Sequence, residues 1–487
     1  MKLLELVKDL DNIEVFGDLN TEINGIAYDS RKINNGDMFV CIKGLVTDGH
    51  GYIEQAVDRG ASTIVVEDDI KQIPGMVIVK VENSRIALAY IAARFYGNPT
   101  DSMNVIGVTG TNGKTTITHI IKNILETNGV PSGLIGTISH KILDREYKAN
   151  NTTPESLELQ KLFSEMKASK VDTCVMEVSS HSLELNRVKG IKFSIGVFSN
   201  LTPDHMDFHG NIDNYKEAKT KLFYQTTDVN IINIDDKYGK LIAQEISKLD
   251  AKLITYSARE KAGIYAENIT ITPKGTSFEV ITPSFRDHLF FSTPGMFSVY
   301  NVLAALSVCY TLGYNFEQIK RGIESIKGVD GRFELVQNNK NRTIIVDYAH
   351  TPDALENVLN TIKEFKTGRI ITVFGCGGDR DKTKRPLMGE IVARLSDFFI
   401  ITSDNPRTED AEMIIDDIKK GINGMAGKYK MIIDRKDAIK EAIRISNYND
   451  IVLIAGKGHE TYQIIGDRVL DFDDKKIAQE AVMEEIE

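Results

Sequence analysis

The segment at residues 104–129 constrains the fold of this chain more than any other. An apolar run at 104–108 predicts a buried strand, and the octapeptide TGTNGKTT at 109–116 follows it directly. Apolar residues at 117, 120, 121, 124 and 125 then have the spacing of an amphipathic helix. A strand, a glycine-rich turn with Lys and Thr, and a helix form the context that a phosphate-binding loop requires. The segment therefore predicts an α/β domain that binds nucleotide phosphates.

Each part of this loop suits phosphate chemistry. Gly110 and Gly113 let backbone N–H groups approach phosphate oxygens, and the helix N-terminus adds a partial positive charge. Lys114 is suited to the outer phosphates and the Thr115 hydroxyl to Mg²⁺. Val108 replaces the first glycine of the strict motif, so the loop is a variant. A tight turn without a ligand is the alternative, but such a turn has no need of the Lys-Thr pair.

Length and composition limit the class of protein. The 487 residues predict about three domains, and the net charge of −10 disfavours a nucleic-acid partner. The four cysteines lie far apart without metal-ligand spacing, so we expect buried thiols and a reducing compartment. Charged residues interrupt the N-terminal apolar residues too early for a signal peptide, and no apolar run reaches transmembrane length. We expect a soluble, cytoplasmic monomer without a membrane partner.

Changes of pattern divide the chain into three units. Residues 1–98 carry short strands and helices and end at a Gly-Asn-Pro turn. Residues 99–330 open with the phosphate loop, alternate strand and helix, and take an antiparallel pattern over 250–294. Residues 331–487 alternate strand and helix throughout, which predicts a doubly wound sheet. We therefore expect a small α/β domain, a central α/β nucleotide-binding domain and a C-terminal, Rossmann-like domain.

Polar residues follow three predicted strands of the C-terminal unit, at the sheet edge where such folds bind ligands. These residues are Arg380, Asp404, Arg407, Lys457 and Glu460. Cations suit carboxylates and acids suit an ammonium group, so the set predicts a pocket for a zwitterion. Three solvated loops are the alternative. A nicotinamide site is disfavoured, because Arg380 occupies the third glycine position of the dinucleotide fingerprint.

A second polar cluster follows two predicted strands of the central unit. Glu177 ends the strand at 173–178, and His205 follows the strand at 194–198. A carboxylate and a histidine beside a phosphate loop suit a divalent metal. A packed or surface histidine is the alternative for His205 taken alone. Lys219 lies in a helical run that contains two other lysines. From this pattern alone we expect a solvated residue.

Together these motifs resemble the Mur ligase family, the ATP-dependent amide-forming enzymes of peptidoglycan precursor synthesis. The resemblance spans the chain and includes YDSR at 28–31, NTTP at 151–154, MEVSSH at 176–181, GRFE at 331–334 and VDYAHTPDA at 346–354. The tetrad DNPR at 404–407 resembles that of the members that add meso-diaminopimelate. The resemblance implies a ligase that joins this amine to UDP-N-acetylmuramoyl-L-alanyl-D-glutamate through an acyl phosphate.

Three alternatives remain open at this point. One is the same ligase with L-lysine as the acceptor, and another is a ligase similar to folylpolyglutamate synthetase. The third is a nucleotide switch, although the chain lacks the Asn-Lys-x-Asp run that a GTPase needs for guanine.

The resemblance also implies roles for individual residues. It assigns ATP to Thr109, Gly110, Thr111, Asn112, Gly113, Lys114, Thr115, Thr116, Asn301, Arg332 and Asp347. It assigns Mg²⁺ to Thr115, Glu177, His205 and Lys219, and it implies that Lys219 is carbamylated, which turns a cation into a metal-binding carboxylate. The UDP-linked substrate is assigned to Ser30, residues 45–47, Asn151, Thr152, Thr153, Ser179 and Arg187. Diaminopimelate is assigned to Arg380, Asp404, Asn405, Pro406, Arg407, Gly456 and Glu460. The implied catalytic residues are Lys114, Glu177, His205 and Lys219.

Two places depart from the family pattern. Residues 45–47 replace the His-Gln-Ala run seen in some relatives, so uridine recognition there is expected to be mainly through the backbone. Leu185 stands where the family often has a glutamine two residues before Arg187. A contact to the UDP-linked substrate is therefore in question there.

Overall fold

Three separate sheets organise the chain, and each lies within one of the predicted units. The computed structural model describes residues 1–44, 47–326, 328–338, 342–422 and 428–484. Among these residues the sheets have five, eleven and six strands, and a two-stranded hairpin accompanies the last. The α/β class is confirmed, while the boundaries at 98 and 330 stay predictions.

The first unit is a small α/β domain. Its strands are β1 (Glu14–Phe16), β2 (Ile26–Ala27), β3 (Met38–Val40), β4 (Thr63–Val66) and β5 (Val77–Lys80), and its helices are α1 (Leu3–Leu6), α2 (Ile53–Asp58) and α3 (Ser84–Phe95). The sheet order is β1-β5-β4-β3-β2, with β1 antiparallel to β5. Tyr28 Oη donates to Glu158 Oε1 at 2.8 Å and so joins this unit to the next.

The central unit has a mostly parallel core with antiparallel margins. Its strands are β6 (Asn104–Thr109), β7 (Ser132–Ile135), β8 (Ser139–Ile142), β9 (Arg145–Lys148), β10 (Thr173–Glu177), β11 (Phe193–Phe198), β12 (Thr226–Asn233), β13 (Lys252–Ser257), β14 (Ile264–Thr272), β15 (Gly275–Ile281) and β16 (Arg286–Phe291). Strands β7, β10, β6, β11, β12 and β13 are parallel neighbours. The antiparallel pattern predicted over 250–294 is confirmed for β14–β16, whereas β13 runs parallel to β12.

Helices cover both faces of this central sheet. They are α4 (Lys114–Thr127), α5 (Ser156–Ala168), α6 (Ser180–Glu184), α7 (Met206–His209), α8 (Ile212–Thr220), α9 (Lys237–Ile246), α10 (Met296–Thr311) and α11 (Phe316–Ser325). The apolar stripe of α4 that the sequence predicts is buried, and it packs in one cluster with residues of α10 and α11. Gly129 follows the end of α4 with a φ of +78°, as expected of a glycine that ends a helix.

The C-terminal unit is doubly wound, as predicted. Its strands are β17 (Glu334–Val336), β18 (Thr343–Asp347), β19 (Ile370–Phe374), β20 (Phe398–Ile401), β21 (Tyr429–Met431), β22 (Ile451–Ala455), β23 (Tyr462–Ile465) and β24 (Arg468–Asp471). Its helices are α12 (Pro352–Phe365), α13 (Lys384–Leu395), α14 (Ala411–Lys419), α15 (Arg435–Ile445) and α16 (Asp474–Glu484). The main sheet has the order β17-β18-β22-β19-β20-β21. One face packs against α12, α13 and α14, and the other against α15 and α16.

Two smaller expectations are also settled. All four cysteines are buried and free, and burial raises the pKa of Cys41 and Cys376 to about 12. Within the described ranges, none of the helices combines the length and the apolar character needed to cross a bilayer.

Candidate active site

The phosphate loop joins β6 to α4 and depends on its two glycines. Gly110 has a φ of +147° and Gly113 a φ of +89°, a backbone region that favours glycine. A Cβ atom at Gly110 would overlap Ser199 Oγ, and one at Gly113 would overlap Asn301 Oδ1. The loop therefore leaves room for ligand atoms on its open side only. Asn301, predicted to contact ATP, lies directly against Gly113.

Lys114, Thr115 and Glu177 lie together at the start of α4. Lys114 Nζ donates to the carbonyl oxygens of Gly110 and Thr111, both at 2.9 Å. Thr115 Oγ1 donates to Glu177 Oε2 at 3.0 Å. Burial lowers the pKa of Lys114. A buried cation that has backbone carbonyls as hydrogen-bond acceptors suits the binding of an anion such as phosphate.

Thr137 is a neighbour of Glu177 that the sequence did not point to. Its N–H donates to Glu177 Oε1 at 2.9 Å, and its hydroxyl donates to Oε2 at 3.0 Å. The Glu177 carboxylate is thus held in a fixed orientation by two threonines. Thr137 has no motif of its own, and its place after β7 is the one signal that could have found it.

His205 lies on the loop between β11 and α7, with a φ of +55°. Its Nε2 is 3.3 Å from Asp204 Oδ2, and burial lowers the pKa of His205 to about 4. The ring is therefore neutral near pH 7 and has a free lone pair for a metal. Burial would raise the pKa of Asp204, but His205 and Lys384 outweigh burial and lower it to about 2. Lys384 Nζ, from α13 of the C-terminal unit, is 2.6 Å from Asp204 Oδ1.

Lys219 is buried, so its reading as a solvated helix residue is wrong. Only 1% of the residue is exposed, and its Nζ donates to the carbonyl oxygen of Gly110 at 2.9 Å. The ammonium group also lies 4.5 Å from the centre of the Tyr215 ring. Burial, and then the charge of Lys114, lower the pKa of Lys219 well below its usual value. Tyr215 and Ala218 share its buried helix face, a periodic signal that the charge of the lysine concealed.

These donors fit a divalent cation of the magnesium type. The Thr115 hydroxyl and the Glu177 carboxylate are adjacent oxygens, the class of ligand that Mg²⁺ prefers. Lys219 fits as a ligand only after carbamylation, since its ammonium group has no lone pair. Carbamylation needs a neutral amine, and the lowered pKa of Lys219 favours that form.

The C-terminal unit contributes directly to the phosphate loop. Arg332 Nη2 donates to Thr115 Oγ1 at 3.1 Å, and its guanidinium lies 4.6 Å from the Tyr348 ring centre. Asp347 ends β18 and accepts from the N–H groups of Phe333 at 2.6 Å and Ala349 at 2.8 Å. Burial raises the pKa of Asp347. Both residues were predicted to contact ATP. The structure places Arg332 against the loop and Asp347 in the lining of the cavity beside it.

Asp353 is a second residue that the sequence did not single out. Its Oδ2 accepts from Asn112 Nδ2 at 2.7 Å and from Thr202 Oγ1 at 2.9 Å. It therefore joins the first turn of α12 to the phosphate loop. The cavity between the two units has a volume of about 640 Å³, and its lining includes Asp353. Predicted residues that line it are Thr111, Asn112, Gly113, Lys114, Thr115, Thr116, Thr152, Glu177, His205, Asn301, Arg332 and Asp347.

Most residues predicted to hold the UDP-linked substrate lie beside Glu177. Thr153 Oγ1 donates to the Glu177 carbonyl oxygen at 2.8 Å and accepts from the Ser179 N–H at 3.1 Å. Arg187 Nη1 donates to the Thr153 carbonyl oxygen at 3.2 Å. The Thr152 and Thr137 hydroxyls are 3.0 Å apart. Asn151 precedes this group in the chain and is exposed.

Other residues predicted to hold this substrate are not brought into that group. Ser30 lies in the first unit, where its hydroxyl donates to Gln55 Oε1 at 2.6 Å. The prediction for 45–47 falls partly outside the described residues, because 45 and 46 lie between the ranges 1–44 and 47–326. Leu185 directly follows α6, and its N–H donates to the His181 carbonyl oxygen.

The predicted amine site forms at the carboxyl ends of β19, β20 and β22. Asp404 and Asn405 follow β20, and Gly456 and Glu460 follow β22. A Cβ atom at Gly456 would lie 2.8 Å from Asp404 Oδ2, and the φ of Gly456 is +121°. The Gly456 N–H donates to the carbonyl oxygen of Asp347 at 3.0 Å. The amine site and the ATP cavity are therefore adjacent along β18 and β22.

The cations of this site have different surroundings. Arg407 has a φ of +53°, and its Nη1 donates to the Gly378 carbonyl oxygen at 2.7 Å. Arg380 is exposed, and its Nη1 donates to the carbonyl oxygen of Asp379 at 3.1 Å. The Pro406 carbonyl oxygen accepts from the Glu409 N–H at 3.1 Å. Lys457 is fully buried, so its reading as a cation that meets a ligand carboxylate is wrong.

Family models match all three units. They are the Mur ligase family catalytic domain over 22–96, the Mur ligase middle domain over 108–309 and the Mur ligase glutamate ligase domain over 331–458. The similarity to curated proteins extends over the whole chain. The UDP-N-acetylmuramoyl-L-alanyl-D-glutamate–2,6-diaminopimelate ligase of Clostridioides difficile (strain 630) is 51% identical over 484 residues, which is 99% of each chain. The chain belongs to the Mur ligase family.

Two further relatives have the same name. The ligase of that name from Alkaliphilus oremlandii is 50% identical over 485 residues, which cover 100% of this chain and 99% of the relative. A solved structure of a UDP-N-acetylmuramoyl-L-alanyl-D-glutamate–2,6-diaminopimelate ligase has a TM-score of 0.73 and 31% identity, over 100% of this chain and 99% of that one. The Mur ligase fold therefore extends through all three units, including the first.

Proposed function

We propose that this Mur ligase uses ATP to join meso-diaminopimelate to UDP-N-acetylmuramoyl-L-alanyl-D-glutamate. The observation that carries the proposal is the match, over the full chain and at about half identity, to ligases named for that reaction. The grouping of Asp404, Arg407 and Glu460 at neighbouring strand ends supports the choice of a zwitterionic amine. A function similar to that of folylpolyglutamate synthetase would not explain the presence of the first unit or of the tetrad at 404–407.

The first chemical step is the transfer of a phosphoryl group. The D-glutamyl γ-carboxylate attacks the γ-phosphorus of ATP, the bond to the β-phosphate oxygen breaks, and ADP leaves. Lys114, Arg332 and the loop N–H groups stabilise the negative charge of the transferring group. Thr115, Glu177, His205 and a carbamylated Lys219 would hold Mg²⁺, which supplies further charge neutralisation when bound.

The second step forms the amide. The neutral amine of the acceptor attacks the acyl carbon, the phosphate leaves, and the amine nitrogen loses a proton. Asp404, Arg407 and Glu460 orient the acceptor for this attack, which converts an encounter in solution into a reaction between groups held in place. The contacts from Arg332 and Asp353 to the phosphate loop bring the C-terminal unit over the cavity and help to exclude water from the acyl phosphate.

The decisive experiment measures phosphate release with a panel of amine acceptors. Wild-type protein is given ATP, Mg²⁺ and the UDP-linked dipeptide, and meso-diaminopimelate, L-lysine or L-glutamate is added separately. We expect phosphate release that needs both the UDP-linked substrate and diaminopimelate. Release that needs no amine would indicate a nucleotide switch, and release that is equal with lysine would reject the acceptor assignment. The monomeric state stays a prediction, which sedimentation would test.

A further inference from the structure

Lys457 is a buried cation for which the proposed reaction has no direct use. It is 0% exposed, and its Nζ donates to Asn405 Oδ1 at 2.9 Å and to Glu460 Oε2 at 3.2 Å. The ring centres of Tyr462 and Phe472 lie 5.6 and 6.0 Å from the ammonium group. The lysine therefore contacts two residues of the predicted amine site from behind and is shielded from a ligand in that site.

These contacts determine which way the Asn405 amide faces. The backbone N–H of Ile464 also approaches Asn405 Oδ1, at 3.0 Å. An ammonium group and a backbone N–H can only donate, so the atom that faces both must be the amide oxygen. The NH₂ group then lies on the other side, where one N–H donates to Glu460 Oε2 at 2.9 Å. The part of the chain that the structure describes offers no acceptor to the second N–H, so this is the donor left for a ligand.

Lys457 also makes the two carboxylate oxygens of Glu460 different from each other. Glu460 Oε2 accepts from both Lys457 and Asn405. The hydrogen bonds of the described residues reach this carboxylate through Oε2, and the side chain is 16% exposed. Oε1 is thus the oxygen that can meet an ammonium group.

We propose that Lys457 is a positioning residue for the acceptor. It fixes Asn405 as a hydrogen-bond donor and holds Glu460 so that one carboxylate oxygen faces the acceptor ammonium. The inference rests on the proposed function, because it assumes that the site binds a zwitterionic amine.

Arg435, another buried cation of the same unit, has its side-chain partner outside the predicted amine site, although its Nη2 also donates to the Ala455 carbonyl oxygen at 3.0 Å. Arg435 donates to both carboxylate oxygens of Asp474, at 2.8 and 2.7 Å, and joins α15 to α16. Helices α15 and α16 both lie on the face of the sheet opposite α12–α14. Lys457 differs, because both of its side-chain partners are residues predicted to touch the acceptor.

The test replaces Lys457 with methionine, which keeps the length of the side chain and removes the charge. Hydrogen bonds to charged groups contribute about 1.5–3 kcal/mol, so we expect KM for diaminopimelate to rise at least about tenfold. The kcat at saturating acceptor and KM for ATP and for the UDP-linked substrate should change less than about twofold. A fall in kcat with all three KM values changed would indicate a merely structural role and would overturn the proposal.

A second variant keeps the proposal testable if Lys457→Met does not fold. Asn405→Asp retains an oxygen acceptor for Lys457 and Ile464 but removes the N–H donor. We expect its acceptor KM to rise to a similar degree, and an unchanged acceptor KM would overturn the proposal. Where Lys457→Met does fold, it should add little in an Asn405→Ala background, because coupled residues are not additive. Full additivity would overturn the proposal.

The matched control is Asp450→Asn. Asp450 directly precedes β22, whereas Lys457 follows it, and its carboxylate is paired with Arg369 at 2.7 Å. This variant should lower stability without changing the acceptor KM. The outcomes separate the two proposals: wild-type protein that does not use diaminopimelate overturns both. Wild-type use of diaminopimelate with an unchanged acceptor KM in Lys457→Met overturns this inference alone.

Discussion

The phosphate loop and the amine site are built in opposite ways. The loop takes Gly110, Gly113, Lys114 and Thr115 from one short run between β6 and α4. The amine site takes its residues from the ends of three strands, and Arg380 and Glu460 are far apart in the chain. A local run fixes its own geometry through backbone conformation, whereas a dispersed site exists only once the sheet has formed. The first kind of site can be identified from a motif, and the second depends on topology.

The buried lysines of the two sites show a second difference. Lys114 and Lys219 both donate to the carbonyl oxygen of Gly110, and burial together with the charge of Lys114 lowers the pKa of Lys219. Lys457 instead lies beside the Glu460 carboxylate. At the phosphate centre the lysine ammonium groups therefore have neutral carbonyl oxygens as hydrogen-bond acceptors. The amine site instead pairs its buried lysine with a carboxylate.

The largest effect should come from the amine site, through Arg407. Lysine lacks the distal carboxylate of diaminopimelate and would leave the guanidinium without its partner, and such sites can reject an analogue by about 10⁴. We expect Arg407→Ala to lose most of this preference, as measured by the ratio of kcat/KM for the two amines. Arg407→Lys should recover it only in part, because it lacks the bidentate fork.

The exposed Arg468 on β24 provides the control for this experiment. Arg468→Ala should leave the ratio unchanged, and neither substitution should change KM for ATP. Equal kcat/KM for the two amines in the wild type would contradict the assignment of Arg407.

Lys114→Ala should have the next largest effect. Removing one preorganised donor to a reacting group costs about 10²–10³ in rate, so we expect a loss of that order in kcat with the fold intact. The control is Lys122→Ala on the same helix, where Lys122 pairs with Glu126. Near-normal turnover by Lys114→Ala would show that the loop does not act on the transferring phosphate.

Lys219→Ala tests whether the phosphate centre needs an added carboxylate. We expect kcat to fall by a factor of about 10² or more, as it does when one charged group that stabilises the transition state is removed. Short carboxylates in the medium should restore part of it, and Lys219→Arg should stay inactive because arginine cannot form the carbamate. Lys221→Ala is the control, since Lys221 is an exposed neighbour paired with Glu184. Full activity of Lys219→Arg would exclude the modification.

The same contrast explains how much the sequence could predict. The fold class, the strand and helix on either side of the phosphate loop and the doubly wound C-terminal unit follow from periodicity and turn residues. Lys219 was misread because a lysine on a helix is usually solvated, and its burial depends on Tyr215 and on the distant Gly110. Lys457 was misread because its partners Asn405 and Glu460 lie on two different strand ends. Each error concerns a charged residue whose environment is set by tertiary contacts.

The smallest effect concerns acid stability, through His459, whose ring lies 4.9 Å from that of Tyr348 between the two sites. Burial, and then the charge of Arg332, lower the pKa of His459 from 6.5 to about 4. A histidine with a depressed pKa in the folded protein takes up a proton first in the unfolded chain. The stability that it contributes is therefore complete above pH 6.5 and is lost as the pH falls towards 4.

His459→Gln should remove this sensitivity. A tenfold change in proton affinity corresponds to about 1.4 kcal/mol. We therefore expect the wild type to lose roughly 2 kcal/mol more than the variant between pH 7 and pH 5. Urea unfolding at several pH values measures the difference, and His288→Gln, at an exposed position on β16, is the control. His205 and His209, whose pKa values burial also lowers to about 4, remain in both proteins, so the difference reports on His459 alone. Equal losses in His459→Gln and the wild type would show that His459 is not kept neutral by burial.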